Sequence, residues 1–145
     1  MATRSTIALE YADGTVGQVY CHWDGYLDNN GKILYNHYQD PFKLRELLDL
    51  GDISSLSTEI GAAHDFDERG AGTTFYMRDR GETGCEQKMF KDFEDYKENF
   101  QHEEYAYILR KDGHWYVKQY SNEFELLGEA IAEELRKAME EEALM

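Results

Sequence analysis

Two runs near the end of the chain, Tyr105 to Lys111 and His114 to Tyr120, restrict the fold more than any other feature. Both are rich in aromatic and β-branched residues, and Asp112-Gly113 joins them. Asp-Gly readily adopts the positive φ angles of a tight turn, so this stretch predicts a β-hairpin. A second hairpin is expected near the start. Ile7, Leu9 and Tyr11 alternate, and after Ala12-Asp13-Gly14 so do Val19, Cys21 and Trp23.

Helical periods fill much of the remainder. Gly31 to Tyr38 places Ile33, Leu34, His37 and Tyr38 at helical spacing. Asp40-Pro41 is a helix start, because Asp caps free backbone N–H groups and Pro lacks the N–H that a first-turn residue leaves unpaired. Phe42, Leu44, Leu47, Leu48 and Leu50 then form a buried face, and Gly51 closes the helix. Met89, Phe90, Phe93, Tyr96 and Phe100 mark another amphipathic helix. Leu127, Ile131, Leu135 and Ala138 mark a C-terminal helix over about 123–142, frayed at its end. Thr73 to Arg78 reads as a third strand, and the polar stretch from Ser54 to Gly72, with Gly61 and Gly70, as a long excursion. The order β, β, α, α, β, α, β, β, α has no regular βαβ alternation. It predicts an α+β fold in a single domain, 1–145, with an antiparallel sheet of about five strands built from hairpins and about four helices packed mainly on one face.

Composition narrows the function classes. Apolar residues are 41% of 145, enough for one core. Thirty acidic residues against 15 basic ones give a formal charge of −15, which opposes direct binding to nucleic acid, a process driven by Lys and Arg displacing counterions. Cys21 and Cys85 form neither a disulfide framework nor a CxxC signature, which fits a reduced cytoplasm. The start MATRSTIALEYADG lacks a signal-peptide apolar run, and no stretch approaches the ~20 apolar residues of a membrane span. The expectation is a cytoplasmic protein with no membrane association.

Two clusters carry candidate chemistry. Tyr20-Cys21-His22-Trp23-Asp24-Gly25-Tyr26 gathers aromatic faces, an imidazole and a carboxylate where a strand turns, a set suited to stacking a planar ligand and bonding its edge. The plainer reading makes Trp23 and Tyr26 packing residues and His22 and Asp24 a local pair. Arg78-Asp79-Arg80-Gly81-Glu82 is the second cluster. On a strand, Arg78 and Arg80 would point the same way and, with Arg4, could clamp phosphate or carboxylate. Here the plainer reading is intramolecular pairing with Asp79 or Glu82. His22, Asp24, His37, His64, Asp65 and Asp67 have no metal-site spacing, so neither metal nor cofactor is expected. Cys21 beside His22 is an adjacency on a strand, not a catalytic dyad, and Cys21 reads as a small core residue. No GxSxG, Walker or GxGxxG motif occurs.

Thr3-Arg4-Ser5-x-Ile7, Tyr20 to Tyr26, Gly31, Leu34 and His37-Tyr38 together resemble a family of small uncharacterised proteins of bacteriophages and prophages. The likeness extends to Gly51-Asp52-Ile53-Ser54, Arg78 to Glu82, and the Tyr105-Ala106-Tyr107 and Trp115-Tyr116-Val117 strands. Leu27, where that pattern often has proline, and the long acidic C-terminal helix are departures. The resemblance implies a phage accessory protein of the host cell cytoplasm, acting in counter-defence. Two functional expectations follow, with catalysis ranked below binding. In the first, Arg4, Tyr20, His22, Trp23, Asp24, Tyr26, Arg78 and Arg80 form a pocket for a small anionic, nucleotide-type ligand. In the second, the acidic face with Glu133, Glu134 and Glu140 to Glu142 mimics nucleic acid and blocks a basic host protein. A small hydrolase using His22 and Asp24 ranks third, and homo-oligomer formation through the C-terminal apolar stripe is left open.

Overall fold

The two hairpins read from alternation form the centre of the sheet in a computed structural model that describes residues 2–68, 72–100 and 103–144. Strands β1 (Ser5–Glu10) and β2 (Val16–Cys21) pair antiparallel from Ser5↔Cys21 to Glu10↔Val16. A wide π-type turn (Leu27–Gly31) then leads into α1 (Lys32–His37), followed by α2 (Pro41–Asp49), β3 (Ile53–Ser55), β4 (Thr74–Phe75) and α3 (Tyr76–Arg80). Next come β5 (Lys88–Phe90), α4 (Phe93–Asn99), β6 (Tyr105–Leu109), β7 (Trp115–Gln119), β8 (Glu125–Leu126) and α5 (Leu127–Ala143). The strands make one eight-stranded sheet in the order β4-β3-β2-β1-β6-β7-β8. Strand β5 pairs with the first half of β2, while β3 meets its last residue, so the two share one edge.

The sheet is mixed and not antiparallel throughout: β1 runs parallel to β6, and β2 parallel to β3. Alternation detects strands but carries no information on which strands separated by a long crossover become neighbours. It also misses strands of two or three residues, which is why eight replace the expected five. The stretch from Thr73 is strand only at Thr74 and Phe75 and becomes helix at Tyr76. The helical period from Met89 divides into strand β5 and helix α4. The Gly70-Ala71 part of the expected excursion lies outside the described residues.

Pleating sends alternate side chains to opposite faces, and both faces are covered. On one, Ile7, Leu9, Val19, Tyr107 and Val117 meet Leu34, Leu44, Leu47, Leu48 and Leu127 of α1, α2 and α5. Each fully buried leucine contributes roughly 1.5–3 kcal/mol from apolar transfer. Trp115 Nε1 donates to the Tyr38 carbonyl at 3.1 Å, tying β7 to the end of α1. On the other face, Ala8, Val16, Ala106 and Ile108 pack under Tyr96 and Phe100 of the α4 segment. The helices therefore occupy both faces and not mainly one. Helix α2 starts as its sequence dictates: the Asp40 carboxylate accepts from Phe42 N at 2.9 Å, and Gly51 beyond its end has φ +83°. Among the described residues no helix is long and apolar enough to cross a membrane.

Candidate functional site

The chain beyond Cys21 stays attached to the sheet, because His22 N and Trp23 N each donate at 3.0 Å to the carbonyls of Ile53 and Ser54. Asp24 then turns with φ 57°, a left-handed conformation that Asp tolerates better than most residues. Gly25 N donates to Thr3 O at 2.9 Å, and Tyr107 OH donates to Gly25 O at 2.6 Å. A Cβ at Gly25 would stand 2.7 Å from the Ser5 Cβ, so only glycine fits. The buried Asn30 amide donates to Ser5 Oγ at 3.2 Å and to Cys21 Sγ at 3.3 Å. The Thr3–Ser5 and Tyr20–Tyr26 motifs are thus two halves of one clasp. Asp52 of the third motif completes it by accepting from Tyr20 N at 2.9 Å.

The second cluster is also largely structural. Asp79 lies on a helical turn with its side chain fully buried, accepting from Phe75 N at 2.8 Å, His64 N at 3.0 Å and Arg78 Nε at 2.9 Å. Burial pushes its carboxyl up, but the guanidinium and the two backbone N–H groups outweigh that and hold it below the usual range. Arg78 also donates to Gly61 O and Thr73 O, both at 2.8 Å, and stacks over Phe75 at 4.6 Å. Arg78 is therefore removed from the expected clamp. A helix replaces the expected strand, so Arg78 and Arg80 do not project side by side: Arg78 is spent on backbone carbonyls and Arg80 stays outside.

Arg80 is half-exposed, lies 5.0 Å from the Phe66 ring and meets Glu82 at 3.4 Å. Phe66 in turn stands 5.7 Å from Tyr76. Burial raises the Tyr76 phenol, a hydrogen bond with the Ser54 side chain opposes this, and the Arg80 charge acts in the same direction as Ser54. Tyr20 shares the sheet face of Val16 by alternation. Its phenol is raised to about 12, first by burial, while Arg4 lowers it and Glu103 and Tyr76 add to the rise. Arg80, Phe66 and Tyr76 therefore touch in turn, while Tyr20, on β2, lies within electrostatic reach of both Tyr76 and Arg4.

Tyr20 OH meets His22 Nδ1 at 2.7 Å. In the tautomer in which the phenol donates to Nδ1 the ring proton sits on Nε2, and in the other Nδ1–H donates to the phenol oxygen. His22 takes this partner in place of Asp24, so the expected local pair does not form. Trp23 packs edge-on against His22 at 4.7 Å. Tyr26 is exposed. Beyond Arg4 lies an open cleft of about 600 Å³ with Glu103, Glu104, Lys118, Tyr120 and Ser121. Phe66, Tyr76, Lys118 and Tyr120 are not among the site residues expected from the sequence. Phe66 offered one faint signal, a lone aromatic ring in a polar stretch.

For nucleophilic chemistry, Cys21 is buried, and burial raises its thiol to about 11, with Asn30 opposing, so it is an inert core residue as expected. Among the described residues no three His, Cys, Asp or Glu side chains group as a metal site. No family model matches the chain, and neither a curated protein nor a solved structure does.

Proposed function

We propose that the protein binds a small anionic ligand with planar rings, of the nucleotide type, over the rings of Tyr20, Tyr76 and Phe66 with Arg4 and Arg80. The observation that carries this reading is the contact series of Arg80, Phe66 and Tyr76, with the Tyr20–His22 pair and Arg4 on the neighbouring part of the sheet. Rings stack on aromatic faces, and guanidinium groups take phosphate or carboxylate by paired hydrogen bonds. His22, in the tautomer that carries its proton on Nε2, adds a directed donor at the ligand's edge. Binding needs no bond-making, in keeping with the buried thiol of Cys21. Joined to the resemblance to phage proteins, the reading becomes sequestration of a nucleotide signal of host defence in the host cytoplasm.

Thermal-shift titration with cyclic dinucleotides and ADP-ribose derivatives tests this. A ligand at a hundred times its Kd adds ~2.7 kcal/mol of stability. With an unfolding entropy of ~2.1 cal/mol/K per residue over this chain, that is a rise in Tm of ~9 °C. The rise should disappear in Arg80→Ala and in Tyr76→Ala while both variants remain folded. No shift with any of these ligands rejects the reading.

A further inference from the structure

Helix α5 is anchored only by its first turn. Leu127 and Ala130 are buried and Ile131 packs against the core, but every residue from Ala132 to Leu144 is exposed. A segment of this length is marginal as an isolated helix in water. Here it continues from an anchored turn and is braced by Arg136, which pairs with both Glu133 and Glu140. Leu135 and Met139 are 58% and 60% exposed, at helical positions i+4 and i+8 from Ile131. An apolar stripe therefore leaves the core and runs out into solvent along the helix, with Glu134 and Glu141 along one flank and Glu142 in line with its end.

We propose that these three turns are a docking helix for another protein, whose surface offers an apolar groove rimmed by lysine and arginine. Charge argues against a second copy as the occupant. Helix α5 carries six glutamates against one arginine and one lysine, and the arginine is already held between two glutamates. Two copies would bring these like charges together, on chains of −15 each. Area argues the same way. Twelve residues of helix are ~18 Å long and ~10 Å wide, so a face-to-face helix pair buries only a few hundred Å², below the ~1,000 Å² of a specific interface. A groove that takes both flanks of the helix buries more, as grooves that receive amphipathic helices do. Basic rims would pair with Glu134 and Glu141, neither of which makes an ion pair among the described residues. This surface is independent of the aromatic rings, and Leu135→Glu should leave nucleotide titrations unchanged.

The test uses the full chain with a benzophenone side chain at position 139, irradiated in lysate of its native host, with the attachment peptide sequenced. The expected result is one heterologous adduct on an apolar peptide with an excess of lysine and arginine. Its yield should fall at least tenfold in Leu135→Glu and in the double change Glu134→Lys with Glu141→Lys, with circular dichroism confirming an unchanged helix in each. An adduct between two copies, attachment to an acidic or uncharged surface, a yield indifferent to these substitutions, or no adduct would each overturn the proposal.

Discussion

Replacing Asp79 with alanine should be among the most damaging single changes in this protein, although the residue lies in a charged stretch that reads as surface. Its side chain is fully buried and accepts four hydrogen bonds, from Phe75 N, His64 N, and Arg78 Nε and Nη2, between 2.8 and 3.1 Å. Removing one partner of a buried ion pair leaves the other desolvated and costs ~3–5 kcal/mol. Arg78 keeps its bonds to Gly61 O and Thr73 O, which places the expected loss near the lower end, ~3 kcal/mol. With ~2.1 cal/mol/K per residue of unfolding entropy, that is a fall in Tm of ~10 °C. Scanning calorimetry at neutral pH measures it, with Arg80→Ala as the comparison, because an exposed pair such as Arg80–Glu82 is worth ~0–1 kcal/mol. The folded Asp79 carboxyl lies below its ordinary value, so its contribution is present above about pH 4 and is lost as pH falls through the folded pKa. The gap between wild type and Asp79→Ala should narrow under acid. A loss under 1 kcal/mol, or an equal loss in Arg80→Ala, would refute the assignment of Asp79 and Arg78 to the fold.

Three further outcomes are expected. Among the described residues the buried Tyr96 hydroxyl has no hydrogen-bond partner, so Tyr96→Phe should be neutral or stabilising by ~1 kcal/mol in urea denaturation. Gly25→Ala forces a Cβ against Ser5 and the Arg4 backbone and should cost ~1–3 kcal/mol by the same assay, with Ser5→Gly recovering part of it. His64 is raised above its usual value, chiefly by the Asp65 carbonyl it meets at 2.7 Å, with burial opposing. Its contribution is therefore present below about pH 6.5 and lost as pH rises through the folded pKa, so the Tm difference between wild type and His64→Ala should be larger at pH 6 than at pH 8.

The legible parts of the fold are those whose signal is local. Asp112-Gly113 between two β-rich runs specifies β6 and β7, Asp40-Pro41 with a leucine face specifies α2, and the four-residue stripe from Leu127 specifies α5. Strands β4 and β8 have two residues each and exist because a longer neighbour offers them hydrogen bonds, a cause that no window of sequence contains. The parallel β1–β6 pairing joins residues about a hundred positions apart, and it carries β6 and β7 to the far side of β1 from β2. Helix α4 lies on the second face for the same non-local reason. Its aromatic residues fit either face by period alone, and the Val16–Ile108 side was still uncovered.

The candidate site was half legible, for a reason that bears on how unusual motifs should be read. A polar residue in an unusual combination has two ways to be indispensable: it can satisfy backbone groups inside the fold, or it can face a ligand. Asn30, Arg78 and Asp79 do the first. So does Gly25, through the room it leaves for Ser5. Arg4, Tyr20, His22 and Arg80 keep atoms turned outward, and sequence alone does not separate the two sets. Arg4 makes no ion pair among the described residues, but this alone does not indicate a ligand, because an exposed pair is worth so little that its absence costs almost nothing. Placement is the stronger ground. Arg80 lies against Phe66 and Phe66 against Tyr76, Tyr20 holds His22, and these rings come from three separate stretches of chain. Substituting Tyr76 should therefore leave both arginines in place and deprive the ligand of a ring to stack on.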